Sequence, residues 1–389
     1  MTVERYHIHV TDEVLEDLKY RLEHVRWPDM FGESGWERGT DQAYLNSLIA
    51  YWRDQFDWRA REAELNKLAH YRCKVDGLDL HFVHERGKGP NPHPLILTHG
   101  WPDSFLRYEK IIPLLTDPAS YGGNPEDAFD VIVPSVPGFG FSNGLKRTGI
   151  SNSHIAGLWA TLMTEHLGYS KFAAAGGDVG SGVTRYLAFN RPELLSGIHL
   201  TDVGLIKNLL TMQDKSGLTE EEQLYIRNTS QWIAEEGGYM QIQSTKPQTI
   251  AYGLTDSPVG LAAWIIEKFQ AWSDCKGDLR QSFSEDELLT NIMIYWVTNT
   301  AGSTANLYYE NTHTLPPLGP ITVPTAVALF PGDVCLPPRA WAERNLNITR
   351  WTEMPRGGHF TAMEDPGPLA EDIREFFRPL RMENHPTGG

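Results

Sequence analysis

Cysteine is scarce in this chain: Cys73, Cys275 and Cys335 are the only three in 389 residues. They are far apart, odd in number and lack metal-site spacing, which argues against a disulfide framework and fits a reducing compartment. No apolar run is long enough to span a membrane, and Met1-Thr2-Val3-Glu4-Arg5-Tyr6 has no apolar signal-type region. Positive charge is also short. Lys and Arg number 34 against 50 Asp and Glu, a formal net charge of −16, which argues against nucleic acid and anionic membranes as partners. Internal repeats and low-complexity tracts do not stand out. A soluble, cytoplasmic globular protein is expected, as one large domain or two to three lobes.

What is present is a change of pattern along the chain. Residues 1–75 read as a helical arm. Asp12–Val25 sets Val14, Leu15, Leu18 and Leu22 on one face, and Trp27-Pro28 closes it. Tyr44–Trp52 and Trp58–Leu68 follow a loop carrying Gly32, Gly35 and Gly39. The arm cannot bury its own aromatic stripe, so it is expected to wrap a neighbouring domain, and a homodimer is a second way to cover it.

Residues 76–204 read as the first part of an α/β core. Strands are predicted at Tyr71–Val75, Leu78–His84, Pro94–Thr98 and Phe129–Pro134, with Asp76-Gly77 as a tight hairpin turn. Helices Phe105–Leu115 and His154–Leu167 alternate with the later strands, which predicts a mostly parallel sheet with helices on both faces. Over 205–312 strand signals stop. Capping boxes at Thr219/Glu222 and Ser284/Glu287, and the Ser257-Pro258 start, predict helices Glu220–Glu235, Glu285–Val297 and Pro258–Trp272. A helical block inserted into an α/β core reads as a lid. Residues 313–389 complete the core with strands Thr325–Phe330 and Ile348–Met354 and a helix at Leu369–Phe377.

The most informative stretch is Gly176-Gly177-Asp178-Val179-Gly180. A short apolar strand ending in three alanines precedes it, and a helical stretch from Ser181 to Phe189 follows. Strand, sharp turn and helix with small residues around a central side chain form the nucleophile elbow of the α/β-hydrolase fold. Usually the central residue is serine; here it is Asp178. A serine attacking saturated carbon would form an ether that could not be hydrolysed. A carboxylate forms an ester, which an activated water can cleave. An epoxide or a carbon–halogen bond is therefore the expected target. The simpler alternative is a glycine-rich turn whose aspartate only caps the next helix.

Other stretches supply the remaining chemistry. Thr98-His99-Gly100-Trp101-Pro102 ends a strand where this fold places one oxyanion-hole donor, and the residue after the nucleophile supplies the other. Trp101 and Val179 would serve through their backbone N–H groups. The acid and histidine should follow in that order. Asp333 and His359 fit, being 26 residues apart, each in a loop after a strand. Asp333 would fix the tautomer of a neutral His359, which would deprotonate the attacking water. Asp202 is the rival acid, and Asp365 is too close to His359 in sequence. Opening an epoxide also needs a proton donor that stays protonated at neutral pH, and a phenol with a pKa of about 10 does so. Tyr239 and Tyr308 are the lid candidates; each can equally be a packing tyrosine among the 15 in the chain.

Taken together the motifs resemble the microsomal class of epoxide hydrolases over nearly the whole chain. They comprise Arg26-Trp27-Pro28-Asp29, His99-Gly100-Trp101-Pro102 running on to Ile111-Ile112-Pro113-Leu114-Leu115, and Pro137-Gly138-Phe139-Gly140-Phe141-Ser142. The Asp178 elbow, Gly238-Tyr239-Met240-Gln241-Ile242-Gln243, Asp256-Ser257-Pro258-Val259-Gly260-Leu261 and Gly358-His359-Phe360 complete the set. The resemblance implies Asp178 as nucleophile, Asp333 as charge-relay acid, His359 as base, and Tyr239 with Tyr308 as the pair that binds and protonates the epoxide oxygen. It favours Tyr308 over Tyr309 because the family tyrosine lies just upstream of a Glu-Asn pair. The reaction it implies needs no cofactor or metal, and its partners are a small epoxide and water. Detoxification and secondary metabolism both fit. Two features depart from the family. The sequence from Met1 onward reads as no counterpart of the N-terminal anchor helix of the membrane-bound relatives, so membrane attachment is not expected, and the residue after the nucleophile, commonly Trp, is Val179. The second departure implies a roomier pocket, suited to a bulky or aromatic epoxide. Haloalkane dehalogenases share the nucleophile and fold, but Val179 lacks the ring N–H they use to hold a halide.

Overall fold

The structure, a computed structural model, describes residues 2–29, 35–204 and 216–382. Gly32 of the arm loop and the start of the expected lid at 205 lie outside the described residues.

The N-terminal segment contributes a short strand, β1 (Glu4–Arg5), and three helices, α1 (Asp12–Glu23), α2 (Gln42–Asp54) and α3 (Trp58–Leu65). Asp41 and Asp57 cap α2 and α3 by accepting the N–H groups of Tyr44 and Ala60. Their apolar faces bury Leu45, Leu48, Ile49, Trp52 and Trp58. The sheet continues with β2 (His70–Val75), β3 (Leu78–Glu85), β4 (His93–Thr98), β5 (Phe129–Pro134), β6 (Phe172–Gly176), β7 (Leu195–Leu200), β8 (Ile321–Leu329) and β9 (Leu346–Glu353). Among the described residues these form one sheet in the order β1-β2-β3-β5-β4-β6-β7-β8-β9. The first three pairings are antiparallel and the remainder parallel. Asp76 and Gly77 both have positive φ (48° and 75°), which the tight β2–β3 turn requires. Strands β5, β6 and β7 are buried along their full lengths, as strands covered on both faces must be.

Two helix pairs cover the sheet. One is α4 (Ile111–Thr116) with the C-terminal helix Pro366–Met382; the other is α5 (Asn152–Thr161) with α6 (Val179–Asn190), which lies against β4, β6, β7 and β8. The single helix expected over Phe105–Leu115 is instead a 3-10 turn, Phe105–Tyr108, followed by α4. Pro113 explains the break: its ring would clash with the carbonyl of residue 109 in a continuous helix. Strand β8 begins at Ile321, ahead of the expected Thr325; Pro324, which cannot donate to the ladder and so hides the start of the strand in the sequence, sits where the pairing with β9 shifts register.

From residue 216 to 313 the chain is helical: α7 (Glu220–Glu236), α8 (Gly238–Thr245), α9 (Pro247–Asp256), α10 (Pro258–Trp272), α11 (Glu285–Thr298) and α12 (Ala301–His313). Both capping boxes form. Arm helices α1 and α2 pack on α10, and α2 also on α11, so the arm's apolar stripe is buried within the same chain. Among the described residues no helix is long and apolar enough to cross a membrane.

Candidate active site

Strand β6 ends at Gly176 and α6 begins at Val179, so the chain turns sharply between them. Asp178 occupies the turn with φ +56° and ψ −124°, a conformation that side-chain-bearing residues avoid outside functional sites. Glycine is required around it. A Cβ on Gly180 would lie 1.9 Å from the Thr98 carbonyl oxygen, and one on Gly176 would lie 2.5 Å from the Gly180 carbonyl carbon. The Asp178 N–H is bonded to Asp202 Oδ2 at the end of β7. Asp202, the rival acid, therefore supports the elbow rather than the histidine.

The loop after β4 closes on the carboxylate. The Trp101 N–H donates to Asp178 Oδ1 at 2.8 Å, and the Val179 N–H, at the start of α6, also favours the ionised form of this carboxyl group. Helix α6 also points its N-terminus at this group, a favourable end for an anion.

Loops after β8 and β9 meet through a Gly332–Gly358 bridge. That contact joins Asp333 to His359, with Nδ1 2.8 Å from Asp333 Oδ1. The other ring nitrogen, Nε2, stands 3.8 Å from Asp178 Oδ2 and has no hydrogen-bond partner among the described residues. The backbone around the ring is pinned on every side. The His359 N–H donates to the Trp272 carbonyl at 2.8 Å, and the His359 carbonyl accepts from Arg107 at 2.5 Å. Glu364 accepts the N–H groups of Gly358 and Phe360. Asp365 is engaged with Arg356.

Both tyrosine candidates come from helices that lie outside the sequence prediction. Tyr239 on α8 stacks on Trp101 with ring centroids 5.1 Å apart and planes 7° apart. Tyr308 on α12 meets both rings edge-on at 5.8 Å, and the two phenols influence each other's titration. Tyr309 is 37% exposed and stacks on His313 at 4.0 Å, so it is Tyr308 that joins the cluster. Other residues at the site had no sequence signal. Trp272 packs between Tyr239 and His359 at 5.2 and 5.3 Å. The ammonium of Lys268 lies 5.0 Å over the Tyr239 ring. Arg107 and Asp103 form a buried pair beneath the oxyanion loop.

Burial dominates the titration of these groups. It raises Asp178 above the ordinary carboxylate range, opposed by His359 and by the Trp101 and Val179 N–H groups. Burial likewise pushes Asp202 up to about 6, with the Asp333 and Asp178 charges adding. Both phenols are raised well above the usual value, again by burial first, so each stays a proton donor. For His359 burial pulls the other way, but Asp333 and Asp178 outweigh it and raise the ring to about 9. With Asp178 ionised this favours an imidazolium between two carboxylates; the neutral imidazole expected from sequence belongs to the later state, in which Asp178 is esterified.

Residues 3–108 match the family described as "Epoxide hydrolase N terminus" and residues 93–366 match "alpha/beta hydrolase fold". A Stigmatella aurantiaca protein assigned to the epoxide hydrolases is 45% identical, over 97% of this chain and 85% of its own. Epoxide hydrolase 1 of Sus scrofa is 38% identical, over 98% of this chain and 90% of its own. The crystal structure of juvenile hormone epoxide hydrolase from the silkworm Bombyx mori superposes with a TM-score of 0.84 at 28% identity, covering 99% and 95% of the two chains. An aspartate elbow on this sheet and likeness along the whole chain point the same way: the chain belongs to the epoxide hydrolases, α/β-hydrolase-fold enzymes that convert epoxides to diols.

Proposed function

We propose that this enzyme works through a covalent ester on Asp178. One carboxylate oxygen attacks an epoxide carbon and the C–O bond of the ring breaks. The leaving oxygen takes a proton from the Tyr239–Tyr308 pair. The carbonyl oxygen of the new ester stays between the Trp101 and Val179 N–H groups, where it becomes the oxyanion of the next step. His359 then takes a proton from a water that attacks the ester carbon. Collapse of that intermediate releases the diol and restores the carboxylate.

The protonation state of His359 closes the proton count. In the free enzyme the ring carries a proton. Esterification removes the Asp178 charge, one of the two that hold this proton, and the imidazolium can then make good the proton given up by the phenols. The ring is left neutral for the water step, and the water's proton regenerates the imidazolium. The single observation that carries this reading is the place of Asp178. Its Oδ1 is bonded to a backbone N–H at 2.8 Å, and its Oδ2 faces an unbonded His359 nitrogen at 3.8 Å.

The substrate we infer is a bulky or aromatic epoxide, consumed in detoxification or secondary metabolism. Trp101, Trp272, Tyr239 and Tyr308 form an aromatic surface above the carboxylate, and Val179 is small where relatives carry a large ring.

Mass spectrometry of His359→Gln after exposure to styrene oxide tests the mechanism. Alkylation needs no base and hydrolysis does, so the variant should carry one added epoxide on the peptide containing Asp178. Asp178→Asn should carry none and make no diol. An unmodified His359→Gln peptide, or undiminished diol formation by Asp178→Asn, removes the covalent reading.

A further inference from the structure

Arg107 and Asp103 are almost wholly buried, 2% and 0% exposed. One Asp103 oxygen accepts the Gly100 N–H at 2.7 Å, next to the Trp101 donor. The other takes Nη1 of Arg107. The second arm of the same guanidinium, Nη2, donates to the His359 carbonyl at 2.5 Å. Nη2 also packs under the elbow, since a Cβ on Gly177 would lie 2.9 Å from it. The oxyanion loop, the residue before the nucleophile and the histidine loop therefore meet at one buried ion pair.

A buried ion pair is weak evidence for stability, because desolvating two charges costs about as much as their attraction returns. Its orientation is the informative feature. The positive end abuts the histidine loop, and the negative end abuts the oxyanion loop.

We propose that Arg107 and Asp103 are a positioning pair for ester hydrolysis, holding His359 and the Trp101 donor in one frame and setting a fixed positive charge behind the imidazole. The proposal rests on His359 being the base. Acidic groups facing or acting on that ring are Asp333, Asp178, Asp202 and Glu364, and Arg107 is the cation that opposes them. While Asp178 is ionised the acids prevail and the ring keeps its proton. Once Asp178 is esterified, Arg107 weighs more heavily and favours the neutral ring that the water step needs. Asp103 acts mainly on Arg107 in that state, because the Asp178 charge it otherwise opposes is gone.

The two halves of the pair should then have opposite effects, which a purely structural role would not produce. The experiment is single-turnover decay of the alkyl-enzyme, formed from styrene oxide by the full chain and followed across pH. Arg107→Gln removes the cation, so the acid limb of hydrolysis should move up by about one pH unit. Asp103→Asn leaves Arg107 uncompensated, so the limb should move down. Arg107→Lys keeps the charge but not both bonds. Its limb should stay in place while the hydrolysis plateau falls on the order of 10- to 100-fold, as expected for a misplaced base, with alkylation less affected. Shifts in the same direction, no shift in either neutral variant, or equal slowing of alkylation and hydrolysis would overturn the proposal. If the neutral variants do not fold, Arg107→Lys decides, and an unchanged plateau overturns it. A wild-type enzyme that forms no alkyl-enzyme would instead remove the assignment of Asp178 and His359, an outcome distinct from failure of the pair.

Discussion

Nε2 of His359 and Oδ2 of Asp178 stand 3.8 Å apart, while Nδ1 of the same ring is bonded to Asp333 at 2.8 Å. The longer distance is beyond a hydrogen bond, so the ring is oriented by Asp333 and left open toward the nucleophile. Asp333→Asn keeps the shape of that contact and removes its charge. Ester hydrolysis should fall by about 10³- to 10⁴-fold, the loss seen when a triad acid is replaced by its amide. Alkylation should survive, because Asp178 attacks without a base. Asp202 should not rescue the variant, since its Oδ2 is committed to the Asp178 N–H. A stopped-flow trace showing normal decay of the alkyl-enzyme in Asp333→Asn would sink this assignment.

The two phenols act on the other half-reaction. Tyr239→Phe and Tyr308→Phe should each slow alkylation by about 10²- to 10³-fold, the usual effect of deleting one donor to a developing oxyanion. Because the two rings are in direct contact, the double variant should lose less than the product of the single losses. Tyr309→Phe is the control: its ring stacks on His313, apart from the cluster, and alkylation should be unchanged. A loss for Tyr309→Phe equal to that for Tyr308→Phe would reverse the choice between them.

These assignments show where the sequence was readable. Alternating and continuous apolar runs marked the strands, and α7, α10 and α11 announced themselves through side-chain caps at Thr219, Ser257 and Ser284. Helices α8 and α12, which carry the two tyrosines, have no such signal. Helix α8 opens on Gly238 directly after Gly237, and α9 opens on Pro247, so both starts look like breakers. Helix α12 begins Ala301-Gly302-Ser303-Thr304, with no side-chain cap bond, and its helical form comes from packing on α8 and α9. The chain order of Asp178, Asp333 and His359 was visible for a different reason: fold connectivity fixes which loops meet. The upward shift of the His359 pKa was not visible, because it depends on distances between three loops far apart in sequence. Arg107 was hidden similarly. It looked like one polar position in a helix, and only Pro113's break and the buried 3-10 turn place it under the elbow.

His359 also links stability to pH. Its folded-state pKa is raised to about 9 against an ordinary value of 6.5. A group raised in this way stabilises the fold fully below pH 6.5, and that contribution is lost as pH rises through about 9. The wild-type melting temperature should therefore fall over this window relative to that of His359→Gln, which has no such proton to lose. Parallel melting curves for the two proteins between those pH values would show that the ring is not held protonated.

Val179 separates the backbone contribution of its position from the side-chain one. It is 8% exposed, begins α6, and its N–H favours the ionised form of the Asp178 carboxyl group. Val179→Trp keeps that N–H and adds a large ring beside the nucleophile. If the small side chain is what admits bulky substrates, kcat/KM for an aryl-substituted epoxide should fall relative to a short alkyl epoxide. The expected change in the ratio is about 10- to 200-fold, the range that pocket volume alone commands. Both substrates should still alkylate Asp178, because neither oxyanion donor is altered. A ratio equal to wild type would mean that Val179 does not set substrate size, and a loss of alkylation with both epoxides would mean that the ring has displaced the elbow instead of narrowing the pocket.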